Sequence, residues 1–420
     1  MSLDMINIKS TLSGSGITFK KILRGSDRKE VWSAGAIVTY MVDIGVTHTE
    51  EVYNGASCLT PTKFDPQAYA DEMIRQGKWE SGWTFKGWRK DTVASSDIET
   101  SVIMGTEPIA LYAVYSKTIT ETFIDYDGTK NNSYPVESTA YYNAAGNTKY
   151  ETITAPSAAE WSGMTFQGWG YPNDGSMSVN VITGQSWTST SDCTRYAIYA
   201  NTIYLYYVVG GSTNSVPGTV WCNVSGGWLY PTLAVSNPTI SGATFNGWSV
   251  NAGNATVSYS SLESGIQLSS NLTVYAILAY SNVTLKSGSS SYNYGSGNQI
   301  NVLTGLDGSK YASLNVTIGG GELHCARWAN VCDAYIYLRT KRSNGTAYDA
   351  EVLLNTCWED GYWTGDQYIG SSQLNTIVGI DLYPGETGQT LYVSFEGDIG
   401  GDGGTVQIST ITAIGKTVVG

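Results

Sequence analysis

The densest group of residues that could do chemistry lies between positions 358 and 368. It reads Trp358-Glu359-Asp360-Gly361-Tyr362-Trp363-Thr364-Gly365-Asp366-Gln367-Tyr368. Aromatic rings stack on the apolar C–H faces of sugars, and carboxylates accept hydrogen bonds from sugar hydroxyls. The sequence therefore predicts a carbohydrate-binding loop whose candidate binding residues are Trp358, Tyr362, Trp363, Asp366 and Tyr368. The alternative is that Trp358 and Trp363 plug one end of a domain or form a subunit contact, because clustered aromatic residues often serve packing.

A second acidic group, Glu396, Asp398 and Asp402, lies in a glycine-rich stretch. Carboxylate oxygens are the ligands that calcium prefers, so these residues are candidates for a calcium site, although their spacing is not that of an EF-hand. A solvated turn is the simpler interpretation of such a charge run. No other cofactor or metal is expected, because the six cysteines lie far apart without a CxxC motif and are interpreted as buried free thiols.

The residues that catalysis would need are poorly supplied. The chain has two histidines, His48 and His324, and His324 lies next to Cys325 in a strand-like run where neighbouring side chains point to opposite faces. The nucleophile-elbow string Gly-x-Ser-x-Gly is absent. We therefore expect no enzymatic activity; the alternative is a carbohydrate-active enzyme that uses Asp360 and Asp366 as paired carboxylates.

Short strands are the elements that would position these side chains. Alternating apolar and polar residues predict strands at 314–318, 334–338, 391–395 and 406–411, with turn signals at 343–345, 384–386 and 400–404. With roughly eight strands, residues 282–420 are expected to form a β-sandwich or jelly roll. In outline this domain is similar to carbohydrate-binding modules.

One sequence motif, Gly-x-Thr-Phe-x-Gly-Trp, occurs three times before this domain. Its copies are residues 82–88, 163–169 and 242–248, and each is followed by an apolar strand, at 111–115, 196–199 and 274–278. A Phe and a Trp three residues apart cannot face the same side of a regular strand, so the glycine between them predicts a bulge that brings both rings into a core. The period predicts three repeats, 38–117, 118–201 and 202–281, each a bead with its own small core.

The first repeat also predicts one α-helix. Asp65 is a suitable N-cap, Pro66 occupies the first helical position, and Gly77 ends the apolar stripe that follows. The second and third repeats lack such a pattern, so the fold class expected for the whole chain is all-β.

The Phe-x-Gly-Trp strand, the later Tyr-Ala-Val-Tyr strand (residues 112–115) and the spacing of 81 and then 79 residues between the motif phenylalanines resemble the internalin B-repeat, or Listeria–Bacteroides repeat, family. The resemblance covers residues 38–281. It implies small β-grasp-like modules that act as spacers or adhesive units on bacterial surface proteins and in some phage structural proteins. It implies no catalytic residues.

Residues 1–37 precede the repeats. The phrase at 17–33 predicts a β-hairpin around Arg24-Gly25-Ser26-Asp27. It is similar to short N-terminal phrases of phage tail and minor virion proteins, which implies an attachment segment that binds other virion proteins. The alternative is an edge hairpin on the first repeat.

The composition limits the partners. A net charge of −13 argues against nucleic-acid binding, which needs clustered Lys and Arg. The sequence shows no signal-peptide pattern and no apolar run long enough to cross a membrane, so no membrane insertion is expected.

Together these features predict a non-enzymatic bacteriophage virion structural protein, an adhesin of the tail or capsid surface that binds a host-surface glycan or protein. The absence of an export pattern favours the virion, because phages leave the cell by lysis. A homo-oligomer is compatible with this interpretation. The alternative is a secreted adhesin of the bacterial cell surface.

Overall fold

The chain is all-β in a computed structural model that describes residues 21–24, 29–33, 35–172, 177–325, 331–360, 367–368 and 377–420. Within those ranges there is one α-helix, α1 (Pro66–Arg75), and one 3-10 turn, Tyr294–Ser296. No helix of the described residues is long and apolar enough to span a membrane. Two compact units are present: Met1–Asn201 with Trp221–Leu229, and Thr202–Val220 with Tyr230–Gly420.

The N-terminal phrase forms the hairpin that the sequence predicts. Strands β1 (Lys21–Arg24) and β2 (Lys29–Ser33) pair antiparallel as a two-stranded sheet. Residues 25–28, where the turn is predicted, lie outside the described residues.

The described residues of the three repeat segments form sixteen strands. They are β3 (Ala36–Asp43), β4 (Val46–Val52), β5 (Thr84–Arg89), β6 (Ile109–Tyr126), β7 (Asn131–Asn143), β8 (Asn147–Tyr150), β9 (Thr152–Thr154), β10 (Thr165–Gly170), β11 (Ser186–Thr188), β12 (Cys193–Val209), β13 (Ser212–Asn223), β14 (Gly227–Leu229), β15 (Thr232–Val235), β16 (Ala243–Ser249), β17 (Leu262–Gln267) and β18 (Leu272–Tyr280).

In every repeat segment the first strand pairs in parallel with the last. Residues 38–41 pair with 109–112, residues 121–124 with 193–196, and residues 205–208 with 272–275. A parallel pair needs a long crossover between its strands. That crossover carries the motif strand in all three segments, and helix α1 as well in the first.

The motif strand is bulged at its glycine each time. Strands β5, β10 and β16 pair antiparallel with β6, β12 and β18, and the register shifts between the phenylalanine and the glycine in all three. The glycines also make close approaches: a Cβ at Gly168 would lie 2.7 Å from the Val181 carbonyl oxygen, and one at Gly247 would lie 2.8 Å from that of Tyr259. The predicted bulge is therefore confirmed.

The motif tryptophans Trp88, Trp169 and Trp248 are at most 1% exposed, and the motif phenylalanines pack against the same three cores. This confirms that both rings of the motif are core residues.

Helix α1 begins and ends at the residues that the sequence indicates. The Asp65 side chain accepts a hydrogen bond from the Gln67 backbone N–H at 2.8 Å, which is the bond of an N-cap, and Pro66 follows it. The helix ends before Gly77, whose φ is +68°. Ala70 packs into the core that contains Trp88.

The first two repeat segments are not separate beads. Strand β6 runs through the predicted boundary at 117/118, and β7 pairs with it from Val114 to Tyr126. Tyr142 and Ala144, from the second segment, belong to the core that contains Trp88. The two segments keep separate cores, but the first core is completed by residues of the second segment, because a continuous strand gives both segments a common sheet.

A backbone turn, which we call the docking turn, recurs in the second and third repeat segments. The Ala144 backbone N–H donates to the Ala113 carbonyl at 2.9 Å, and the Val224 N–H donates to the Ala197 carbonyl at 3.0 Å. Just before each turn lies a buried asparagine, Asn143 or Asn223. The start of one repeat segment therefore completes the core of the segment before it.

The C-terminal domain is the expected β-sandwich. Its strands are β19 (Val283–Asn293), β20 (Gln299–Asp307), β21 (Tyr311–Cys325), β22 (Val331–Lys341), β23 (Ala347–Asp360), β24 (Gln367–Tyr368), β25 (Ile377–Asp381), β26 (Thr387–Gly397) and β27 (Ile399–Gly415). One sheet has the order β19-β27-β21-β24, with β25 also on β21, and the other has the order β20-β26-β22-β23. Buried residues of both sheets, among them Val316, Ile336 and Phe395, form one core.

The last strand, β28 (Thr417–Val419), returns to the third repeat segment. Val418 pairs with Leu278 and Val419 with Ile277 on β18. The Gly420 N–H donates to the Ala276 carbonyl at 3.0 Å. In the first segment the same positions of the last strand are paired by Tyr142 and Asn143 of the following segment.

The predicted turn at 400–404 is wrong, because these residues belong to strand β27. Cys325 pairs with Ile399 and Leu323 with Gly404. Close packing explains the glycine at position 404. A Cβ at Gly404 would lie 3.0 Å from the Phe395 ring and 3.2 Å from the Leu323 side chain. Composition alone indicated a turn, but the strand needs the small residue.

Three of the six cysteines have described side chains, and all three are free thiols. Cys58 and Cys222 are buried and Cys193 is half-buried. Burial raises the pKa of the Cys222 thiol to about 11, which makes it a poor nucleophile at neutral pH.

Candidate functional site

The predicted carbohydrate-binding cluster lies largely outside the described residues. Tyr362, Trp363 and Asp366 fall in the range 361–366, which is not described. The backbone of Trp358 lies in strand β23 and that of Tyr368 in strand β24.

Backbone pairing nevertheless fixes the part of the sandwich to which these two strands lead. Trp358 pairs with Asp333 at the start of β22, and Tyr368 pairs with Glu322 near the end of β21. Strands β23 and β24 belong to different sheets, so Trp358 and Tyr368 lie in different layers of the sandwich. Segments that adjoin the strands of a rigid scaffold commonly carry binding residues.

The three candidate calcium ligands lie on or between strands β26 and β27, and the side chain of Asp402 lies outside the described residues. Glu396 lies on β26, where its carboxylate forms an ion pair with Arg339 and accepts a hydrogen bond from Ser394 at 3.0 Å. Asp398 is exposed and its backbone N–H donates to the Asp333 carbonyl at 2.8 Å; Asp402 lies on β27. Among the described residues no three His, Cys, Asp or Glu side chains lie together as metal ligands would.

His48 lies on strand β4, where its ring stacks on Phe64 with 4.2 Å between ring centroids. The side chain of His324 is outside the description.

A groove that sequence analysis did not single out lies at the junction of the first two repeat segments. Its volume is about 400 Å³, within the range of small-molecule sites. Four aromatic side chains line it: Trp79, Trp83, Tyr142 and Tyr150. The Trp79 ring centroid lies 5.0 Å from that of Tyr115 and 5.4 Å from that of Tyr142, both edge-to-face, so the wall consists of aromatic rings packed against one another.

Most charges along this groove are already paired. Lys117 Nζ lies 2.6 Å from Glu80 Oε2. Asp43 accepts hydrogen bonds from the hydroxyls of Tyr69, at 3.1 Å, and Tyr142. Burial and the neighbouring Asp43 raise the pKa of Tyr69 to about 12, so its hydroxyl stays a proton donor. The remaining charged side chain is that of Lys78.

A second groove, of about 310 Å³, lies at the next junction, within the same compact unit. Tyr126, Trp161 and Trp228 supply its rings, and Asn131 and Asn223 supply amides. Trp161 stands edge-to-face with Tyr126 at 4.8 Å and with Trp228 at 5.8 Å. Trp228 is 45% exposed.

The two grooves lie at equivalent positions of successive repeat segments. Tyr142 pairs with Thr148 across the β7–β8 hairpin, and Cys222 pairs with Trp228 across the β13–β14 hairpin. Both Tyr142 and Cys222 immediately precede the buried asparagine of the docking turn. We name the two sites the junction grooves. One sequence signal could have located them: Asn143-Ala144-Ala145-Gly146 and Asn223-Val224-Ser225-Gly226 share the pattern Asn-x-x-Gly eighty positions apart.

A family model described as the Listeria–Bacteroides repeat domain matches two segments, residues 122–198 and 206–277. These segments correspond to the second and third repeats. The first repeat segment shows the same parallel pairing and the same glycine bulge without a match of its own.

Comparison with curated proteins gives no match. Comparison with solved structures returns two described as infectious bursal disease virus, Gx strain and Gt strain, each 13% identical in sequence. The Gx alignment covers 73% of this chain and 78% of that chain with a TM-score of 0.16, and the Gt alignment covers 73% and 71% with 0.17. Scores this low support no inference about fold or function.

Proposed function

We propose that the protein is a non-enzymatic virion protein of a bacteriophage, an adhesin of the tail or capsid surface whose C-terminal sandwich binds a glycan or protein of the host surface. The observation that supports it most directly is the backbone placement of Trp358 and Tyr368, which lie on strands of the two different sheets of one sandwich. Repeat domains of the matched family support the display role, because they resemble spacer and adhesive modules of surface and phage proteins.

Binding by the full chain to bacterial cell envelopes tests the site. We expect Trp363→Ala to weaken binding at least tenfold, because an aromatic ring at a binding hot spot contributes about 2 kcal/mol or more. Ile377→Ala, at a position that is 62% exposed in the same domain, is the matched control and should bind like the parent. Equal binding by the parent and Trp363→Ala would show that this cluster serves packing instead.

A secreted bacterial adhesin is the second candidate, and the repeat match favours it equally. The genes that flank the coding sequence distinguish the two. Portal and tape-measure genes beside it would support the virion assignment, and a neighbourhood of cell-envelope genes would contradict it.

A further inference from the structure

We infer that the two junction grooves form a second kind of binding site, and that each takes a short stretch of an uncharged oligosaccharide. This site lies in the repeat segments and does not depend on the sandwich.

The rings of the two grooves come from different sequence positions. Trp79 lies six residues before its motif phenylalanine and Trp161 lies five residues before its own. Each ring still packs edge-to-face on the tyrosine opposite that phenylalanine, Tyr115 at 5.0 Å or Tyr199 at 5.2 Å. Inheritance of one motif would place rings at equivalent positions only, so the shared motif does not explain the aromatic lining.

The other rings differ even more. The first groove adds Trp83 and Tyr150, and the second adds Tyr126 and Trp228. Trp228 leaves 45% of its surface exposed beside a buried core. A large ring held rigidly at a groove wall and open to solvent is suited to stack on the C–H face of a sugar.

Charge favours an uncharged ligand. In the first groove Lys117 is paired with Glu80, and Asp43 is held by two tyrosine hydroxyls. The described residues that line the second groove include no Lys, Arg, Asp or Glu. The four charged side chains that line the first groove, Asp43, Glu80, Lys78 and Lys117, carry no net charge, so neither groove has an excess charge that would attract an ion. Sugar hydroxyls can instead use the tyrosines of the first groove and the amides of the second.

The third repeat segment differs from the other two. Ile240 stands five residues before Phe245, where the second segment has Trp161. Val418 pairs there as Tyr142 does in the first segment. These positions hold aliphatic side chains, so we expect two oligosaccharide sites per chain.

The test uses the full chain with a panel of uncharged probes: maltohexaose, cellohexaose, chitohexaose and a mannan oligosaccharide. Isothermal titration calorimetry should give two sites for at least one probe. Trp228→Ala should weaken one of the two at least tenfold, which corresponds to about 1.4 kcal/mol. Leu229→Ala is the matched control, because Leu229 is the next residue of β14, is 50% exposed and does not line the groove.

In the first groove the corresponding pair is Tyr150→Ala and its control Lys149→Ala, since Lys149 is exposed on the same strand. The variant that combines Trp228→Ala with Tyr150→Ala should lose both sites. Circular dichroism should show every variant folded, because the targeted rings line the grooves and are not among the buried core residues.

Three outcomes would overturn the inference: no probe binds the parent chain, Leu229→Ala weakens binding as much as Trp228→Ala, or a peptide library is captured at the grooves instead. Trp363→Ala separates this inference from the proposed function. If Trp363→Ala alone abolishes glycan binding, the sandwich site stands and the grooves do not. If Trp228→Ala and Tyr150→Ala abolish it while Trp363→Ala binds normally, the grooves stand and the sandwich assignment fails.

Discussion

The three motif tryptophans differ in one bond although they are equally buried. Trp88 Nε1 donates to the Leu59 carbonyl at 3.1 Å, and Trp169 Nε1 donates to the Pro156 carbonyl at 3.0 Å. Trp248 Nε1 is buried without an acceptor among the described residues. A buried N–H without a partner costs free energy that a paired one does not. In the third core the Trp248 ring therefore stabilises the fold through the volume it fills and not through an indole hydrogen bond.

Replacing each of these tryptophans by phenylalanine separates volume from hydrogen bonding. All three variants lose similar ring volume, but Trp88→Phe and Trp169→Phe also lose the indole hydrogen bond to a backbone carbonyl. We expect Trp248→Phe to lower the free energy of unfolding by about 1 kcal/mol less than the other two, the usual net value of one hydrogen bond. Chemical denaturation followed by a probe in each unit measures the difference. An equal loss at all three positions would mean that the indole bonds contribute nothing.

At the residue scale the core was predictable from the sequence, whereas of the grooves only the adjoining Asn-x-x-Gly turns left a sequence signal. Local sequence is enough to recognise Asp65, Pro66 and the motif tryptophans, because capping and burial depend on residue type and local spacing. Tyr150 and Trp228 have no such local signature. They become groove residues because hairpins of one repeat segment fold over the preceding one.

At the scale of elements, the parallel pairing of β6 and β12 creates a buried ion pair. Glu121 lies opposite Cys193, and Arg195 Nε lies 2.6 Å from Glu121 Oε2 with both side chains at most 7% exposed. The Arg195 guanidinium also lies over the rings of Tyr171 and Trp187. Burial alone would raise the pKa of Glu121, but hydrogen bonds from Arg195, Ser189 and Trp187 hold it below its ordinary value of 4.5.

The lowered pKa of Glu121 determines the direction in which the free energy of unfolding changes with pH. The unfolded Glu121 takes up a proton at a higher pH than the folded one, so its contribution to stability is complete above about pH 4.5 and is lost as the pH falls through the folded pKa. Glu121→Gln should cost about 3–5 kcal/mol at neutral pH, since it leaves Arg195 charged and unpaired. Below the folded pKa the difference between parent and variant should shrink.

Urea denaturation of the parent and of Glu121→Gln between pH 7 and pH 2.5 measures how the difference in their stability changes with pH. The double variant Glu121→Gln with Arg195→Met is the control and should recover most of the loss, because it removes the uncompensated charge. A loss for Glu121→Gln that does not change with pH would contradict the assignment.

Strands were predictable as elements, and their continuity was not. Alternation located the strands at 111–115 and 196–199, because one buried face is visible in a short window. The same windows hide the fact that β6 and β12 run on into the next segment. Exposed residues interrupt the buried pattern within each strand, Thr118 in β6 and Asn201 and Thr202 in β12, and such an interruption looks like a boundary. The glycines at 400–404 predicted a turn where the structure has a strand, because glycine occurs both in turns and at positions of close packing.

At the scale of the whole molecule, the repeat segments are completed from outside themselves. The first segment is completed by Tyr142 and Ala144, and the second by Val224. For the third segment the same edge of β18 is paired by β28, which comes after the entire sandwich in sequence. The C-terminal strand therefore does for the third segment what a following repeat would do.

This role predicts a specific effect at Val418. A carboxylate there would sit at a half-buried position against β18, so Val418→Asp should detach β28 and expose the edge formed by Ile277 to Ala279. An exposed edge strand is a template for pairing with other chains. We expect a loss of roughly 1–3 kcal/mol in the unit that contains β18, by burial of an unpaired charge, and association that increases with protein concentration. Thr417→Asp places the same charge on the exposed face of the same strand and should behave like the parent.

Differential scanning calorimetry gives the stability, amide hydrogen exchange at residues 276–279 reports the detachment, and sedimentation velocity gives the association. If Val418→Asp keeps those amides protected and melts with Thr417→Asp, the pairing of β28 does not hold the third segment, and its core must be complete without the C-terminal strand.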